Sequence, residues 1–199
     1  MAITADPATL PGARSEPRRV GTLMPNAVIG TLLFVFTEMM LFAGLISAHA
    51  IVKASAQEWP PTNQPRLPFA ETMVNTAALL ASGVLLIMAH VSYRRKPELA
   101  RLPLSISVLL GSFFVLFQGR EWVALLRQGL TLTSSTYGGF FYVIVGTHAL
   151  HAVAAILAMV WAWRRLSVGT LTAAQLGAVE IFWYFVVLVW PLLYLRVYL

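Results

Sequence analysis

The chain has 199 residues, 58% of them hydrophobic and 11% charged, with a net charge of +6 and no cysteine. A soluble domain carries about 25% charged residues, so this few could not cover a free soluble globule, and the apolar excess excludes disorder. Without cysteine there is no disulfide, no thiolate-ligated zinc or iron–sulfur site and no thiol nucleophile.

Residues 1–24, with Pro7, Pro11, Pro17, Arg14, Arg18 and Arg19, show little apolar periodicity and read as a cytoplasmic tail. Residues 25–199 read as a transmembrane domain. It holds five long apolar runs, at about 26–52, 70–92, 103–127, 136–163 and 172–198. Each exceeds the roughly 20 residues that a helix needs to cross the hydrocarbon. The ten-residue alternation of barrel strands is absent, so the expected class is all-α, a polytopic bundle of five membrane helices. Arg18-Arg19, the apolar stretch and Ala48-His49-Ala50 also look like a cleavable signal. That stretch is longer than the usual 7–15 residues and contains Glu38, which favours a retained span.

The 53–69 loop carries Pro60, Pro61, Pro65 and Pro68. Pro103 suits the first turn of the third helix, and Pro191 inside the fifth span predicts a kink. The pairs Gly44/Ala48, Ala77/Ala81 and Ala154/Ala158 are four apart and predict close helix contacts.

With the N-terminus inside, the inner segments hold Arg14, Arg18, Arg19, Arg94, Arg95, Lys96, Arg101, Arg164 and Arg165. The outer ends hold Lys53, Arg66, Arg127 and Arg196. That asymmetry predicts N-inside, C-outside. The positive charge therefore marks topology. No basic stripe interleaves with exposed aromatics, and nucleic acid is not an expected partner. Arg94, Arg95 and Lys96, with Trp161 and Trp163, are candidate phospholipid contacts and topology anchors.

Ionisable groups inside spans are costly and seek partners. Glu38 and His148 each lie about 18 Å into their spans at the helical rise, and His151 shares the face of His148. A buried polar cluster of Glu38, His148 and His151 follows, either as helix glue or as a protonatable site. Gln118, Glu121, Trp122 and Glu180 read as structural polar residues, with Glu121 in a salt-bridged helix end beside Arg120 and Trp122 in the aromatic belt. His49 and His90 lie near span ends, where an interfacial role is expected. His148 and His151 share one helix and cannot embrace one haem iron from opposite sides. Glu38, His148 and His151 could supply three metal ligands, but nothing suggests an open, solvent-fed position. No metal or cofactor is expected in this chain, and no catalytic fingerprint appears.

Several segments in register resemble subunit III of the haem-copper (cytochrome c) oxidases. Phe36-Thr37-Glu38-Met39-Met40-Leu41-Phe42 is similar to the family's Ser/Thr-Glu-x-Met-x-Phe segment. Val74-Asn75-Thr76 resembles its Leu-Asn-Thr. Gly111-Ser112-Phe113-Phe114 with Gln118, Glu121 and Trp122 resembles its Gly-x-x-Phe and Gln-x-x-Glu-Trp elements. Tyr137-Gly138-Gly139-Phe140-Phe141-Tyr142 and Gly146-Thr147-His148-Ala149-Leu150-His151 resemble its Tyr-Gly-Ser-x-Phe-Tyr and Gly-x-His-x-x-His.

The resemblance implies a short five-helix form lacking the first two helices of the seven-helix version. It implies a non-catalytic accessory subunit without haem or copper of its own. Such subunits pack beside a haem- and copper-bearing catalytic subunit, bind lipid and support proton uptake and stability. The implied location is a bacterial cytoplasmic membrane. The glutamate matching Glu38 is similar to the family's carbodiimide-reactive carboxyl. The fifth span departs from the usual Trp-His-Phe-Val-Asp-x-x-Trp, reading Trp183-Tyr184-Phe185-Val186-Val187-Leu188-Val189-Trp190, and Glu180 is only three residues before Trp183. That departure leaves room for a divergent oxidase or a subunit-III-like protein of nitric oxide reductases, and Glu38 leaves open a stand-alone proton-conducting or transport protein.

Overall fold

A computed structural model describes residues 25–198 except Asn63, Arg66 and Pro68. The tail expected at 1–24 lies outside the described residues. The architecture is all-helical among those residues: α1 (Asn26–Ser55), α2 (Phe69–Arg95), α3 (Arg101–Arg127), α4 (Thr136–Ser167) and α5 (Ala173–Leu193). All five are long and apolar enough to cross a membrane. At 32 residues, α4 measures about 48 Å, well beyond the roughly 30 Å of hydrocarbon.

The ends are set by local chemistry. Ser135 caps α4 by accepting from the Gly138 N–H. Thr172 and Gln175 form a reciprocal capping box at the start of α5. Gly129 and Gly169, at φ +89° and +72°, turn the chain after α3 and α4. The Leu130 and Thr170 N–H groups then donate back to the Leu125 and Arg165 carbonyls, a closure that favours glycine. Pro103 falls in the first turn of α3, which a 3₁₀ turn at Pro97–Ala100 precedes. Pro191 cannot donate to its helix. Three residues after it the helix widens into a π turn, Tyr194–Tyr198.

Helices α2, α3, α4 and α5 form a closed ring of neighbours, and α1 lies outside it against α5 and α4. Lipid tails are as apolar as leucine, so packing and polar bonds hold such a bundle together. Trp183 and Trp190 of α5 are fully buried. The Trp183 indole donates to Ser82 Oγ (3.1 Å) and that of Trp190 to Thr76 Oγ1 (2.8 Å), both on α2. Ser107 of α3 donates to the Ser82 carbonyl at 2.8 Å. The close approaches use Gly111, where a Cβ would stand 2.6 Å from the Trp183 ring, and Gly83, which meets Val187.

The small-residue pairs read from the sequence do not serve these contacts. Gly44, Ala48, Ala77, Ala81 and Ala154 are exposed on the outside of the bundle. A four-residue spacing names a face without saying whether that face turns inward. Arg94, Arg95, Lys96, Arg101, Arg164 and Arg165 lie at one end of the bundle, and Lys53, Arg127 and Arg196 at the other.

Candidate functional site

Glu38 sits on α1, the outer helix, and reaches α4. Its Oε2 lies 2.9 Å from His151 Nε2, while His151 Nδ1 lies 2.7 Å from the Thr147 carbonyl. A carbonyl can only accept, so Nδ1 carries a hydrogen. Nε2 then faces Glu38, and that contact must contain a proton. Either a carboxylic acid donates to neutral imidazole, or an imidazolium donates to carboxylate. The contact is in either case a hydrogen bond between Oε2 and Nε2. Both side chains are mostly shielded, at 18% exposure for Glu38 and 12% for His151. Phe34, Phe42, Phe182 and Phe185 surround the imidazole with ring centroids 5.6–6.4 Å away.

His148 does not join the pair by a hydrogen bond. It is buried with its ring against Trp190 (5.1 Å), Phe114 and Phe42. The sequence placed Glu38 and His148 at equal depth. The helical turn between His148 and His151 decides which imidazole reaches α1, and it is His151.

A second polar group lies where α2, α3 and α5 meet. Thr72 donates to Glu121 Oε2 at 3.1 Å, and Gln118 Nε2 donates to the same oxygen at 2.9 Å. Gln118 Nε2 also lies 2.9 Å from the Tyr198 hydroxyl, and Asn75 Nδ2 donates to Gln118 Oε1 and the Phe114 carbonyl. Glu121 is therefore not salt-bridged to Arg120, which is exposed with its guanidinium over the Phe117 ring at 5.8 Å. Trp122 turns inward from the belt position expected of it, edge-to-face on Tyr142 at 5.9 Å.

Glu180 has a specific partner. Its Oε2 lies 2.7 Å from His90 Nδ1, so His90 is part of a polar pair as well as near a helix end. Nothing in the sequence reading gives Thr72, Ser82 or Tyr198 a role. The 72–75–82 spacing does mark a polar stripe on one face of α2.

Arg94, Arg95 and Lys96 are exposed at the end of α2. Trp161 and Trp163 are 42% and 39% exposed, and the Arg165 guanidinium lies 4.9 Å from the Trp161 ring. Among the described residues no group of three or more His, Cys, Asp or Glu side chains could hold a metal ion. Both nitrogens of His151 are committed, and His148 shares its helix, so the two do not offer opposed ligands to a haem.

The family model described as "Cytochrome c oxidase subunit III" matches residues 16–199. The chain belongs to the cytochrome c oxidase subunit III family. Among relatives, "Probable cytochrome c oxidase subunit 3" of Nocardia farcinica is 33% identical over 194 residues, covering 94% of this chain and 95% of that protein. The protein of the same name from Mycobacterium leprae is 34% identical over 180 residues, covering 87% and 88%. "Cytochrome c oxidase subunit 3" of Corynebacterium diphtheriae is 34% identical over 194 residues, covering 92% and 94%.

Within that family, the fifth helix here has a packing explanation. Val187 stands where the resemblance implies the family's aspartate. It is 4% exposed, and its Cγ1 would lie 3.2 Å from a Cβ added at Gly83. An apolar contact occupies that space, and the carboxyl that α5 presents to α2 is Glu180, bonded to His90.

Proposed function

We propose that this chain is the accessory subunit III of a haem-copper respiratory oxidase, non-catalytic on its own. It sits beside a catalytic subunit that carries the haem and copper. In this reading the membrane is a bacterial cytoplasmic membrane, with the N-terminus inside and the C-terminus outside. Family membership over nearly the whole chain carries the proposal.

The chain's own chemistry is proton handling and stabilisation. Thr147 fixes the tautomer of His151, so that Nε2 always addresses Glu38. The phenylalanine shell excludes water from the imidazole. One proton held between Oε2 and Nε2 supports proton uptake by the assembled oxidase. The Thr72–Glu121–Gln118–Tyr198 network ties α2, α3 and the end of α5 together, which supports durability. Arg94, Arg95, Lys96, Trp161 and Trp163 suit phospholipid head groups at the inner face.

The nitric oxide reductase and stand-alone readings are not favoured. The first arose from the fifth helix and the second from Glu38, and the matching relatives bear cytochrome c oxidase names. The test is purification of the tagged chain in mild detergent. Co-elution of a haem-bearing catalytic subunit is expected. A haem-free homo-oligomer would overturn the proposal.

A further inference from the structure

At the end of the bundle opposite Arg94, Arg95 and Lys96, a wedge of about 460 Å³ opens between α1 and the π turn that follows α5. Ile46, His49, Lys53 and Ala54 of α1 form one wall, and Leu195 and Arg196 of the π turn form the other. The α1 residues recur at the three- and four-residue spacing of one helical face. The wedge touches neither Glu38 nor the polar network around Glu121.

Lys53 and Arg196 thus line one space, and the bundle gives neither a counter-charge. The ion pairs among the described residues are His90–Glu180 and His151–Glu38. Glu58, the acid closest to Lys53 in sequence, accepts instead from Thr62 at 3.0 Å. Lys53 is half-buried and Arg196 is exposed. Two like charges around one cavity repel, and an anion between them would recover that energy.

The depth of the wedge selects the kind of anion. Lys53 follows Glu38 by fifteen residues, about 22 Å of helix, whereas half of the hydrocarbon is roughly 15 Å. With Glu38 near the midplane, Lys53 stands beyond the hydrocarbon, within reach of polypeptide from the aqueous side. This chain already sends polypeptide there: Trp59, in the loop after α1, packs edge-on against His49 at 5.4 Å. Leu195 is 54% exposed, and Ala54 is exposed beside it. An apolar rim around a guanidinium suits a protein contact, where arginine is enriched. A carboxylate offers two oxygens to the fork of Arg196 and to the ammonium across the wedge.

We propose that this wedge docks an Asp or Glu side chain from an aqueous segment of another subunit, with its carboxylate between Lys53 Nζ and the Arg196 guanidinium. The inference rests on the reading that this chain works inside an oxidase complex.

Cross-linking of the complex purified in mild detergent tests it. A water-soluble carbodiimide joins an amine to a carboxylate that touches it. The amide forms, and the reagent takes up the elements of water and leaves as a urea. Peptide mass spectrometry is expected to find Lys53 joined to an acidic residue of another subunit. Lys53→Arg keeps the charge without the reactive amine, so the link should vanish while the complex co-purifies as before. Arg196→Glu keeps the amine but sets a like charge against the incoming carboxylate, and the yield of the link should fall at least about tenfold. Failure of any other subunit to co-purify would overturn the oxidase reading together with this one. A complex that co-purifies with Lys53 unlinked, or linked only within its own chain, would overturn the docking site alone. So would an unchanged yield in Arg196→Glu. A phospholipid in the wedge gives no linked peptide and belongs to the same overturning result.

Discussion

Glu38 and His151 are separated by 113 positions in the chain and by 2.9 Å in space. The contact ties the outermost helix to the ring of four. Glu38→Gln can still donate to His151 Nε2, so its thermal midpoint should stay near that of the unmodified chain. It has no acidic proton to pass on, and single-turnover proton uptake by the assembled oxidase should slow. Glu38→Ala leaves the imidazole unpartnered and should also cost about 1–3 kcal/mol in detergent unfolding. Unchanged uptake in Glu38→Gln would reduce the pair to a helix tie.

The closest helix approach predicts the next result. A Cβ at position 111 would stand 2.6 Å from a Trp183 ring that is fully buried and bonded to Ser82. Gly111→Ala should therefore destabilise by about 1–3 kcal/mol, the usual cost of overpacking. Gly44→Ala, where no atom lies within 4 Å of the new Cβ, should be neutral within about 0.5 kcal/mol. Equal thermal midpoints for both variants would contradict the packing at Gly111.

The fifth helix yields a reversal experiment. Val187→Asp restores the family's usual residue but puts a carboxyl against Gly83, in an apolar contact. Burying an unpaired charge costs several kcal/mol. Assembly yield, read by co-purification in detergent, should fall sharply, whereas Val187→Ala should lower it only slightly. Normal yield of the aspartate variant would mean that a polar partner is available there after all.

Tyr198 and Gln118 differ in how much each holds. Tyr198→Phe removes one hydroxyl from Gln118 and should cost about 1 kcal/mol. Gln118→Leu strips a partner from Glu121, Asn75 and Tyr198 together and should cost at least twice that. A double variant should cost less than the sum, because the two share one bond. Denaturation in detergent reads all three.

Orientation can be read directly, because the chain has no cysteine. Gln128→Cys and Lys96→Cys place single thiols at opposite ends of the bundle, at exposed positions. An impermeant maleimide should label the first in intact cells and the second only after permeabilisation. The opposite pattern would invert the assigned topology.

The number of helices was legible because it depends on one-dimensional quantities, run length and apolar content. Partner choice was not. Whether Glu38 meets His148 or His151 turns on a helical rotation of one turn, which depth along the span leaves undetermined. The neighbouring Arg120 offered Glu121 a charge partner in sequence, yet the bundle gives it Thr72 and Gln118. The outward-facing Gly44/Ala48 and Ala77/Ala81 pairs failed for a similar reason, since spacing fixes a face and the neighbouring helices decide its direction. His90 looked interfacial by its place near a helix end, and only the register of α5 brings Glu180 to it.

The helix that touches α1, α2 and α4 is also the fifth to leave the ribosome. Four spans must therefore wait in the bilayer with Thr76 and Ser82 facing the place that Trp190 and Trp183 will fill. During that interval the unfinished bundle is an open horseshoe with hydroxyls on its inner edge. The arrival of α5 covers those hydroxyls and closes the ring.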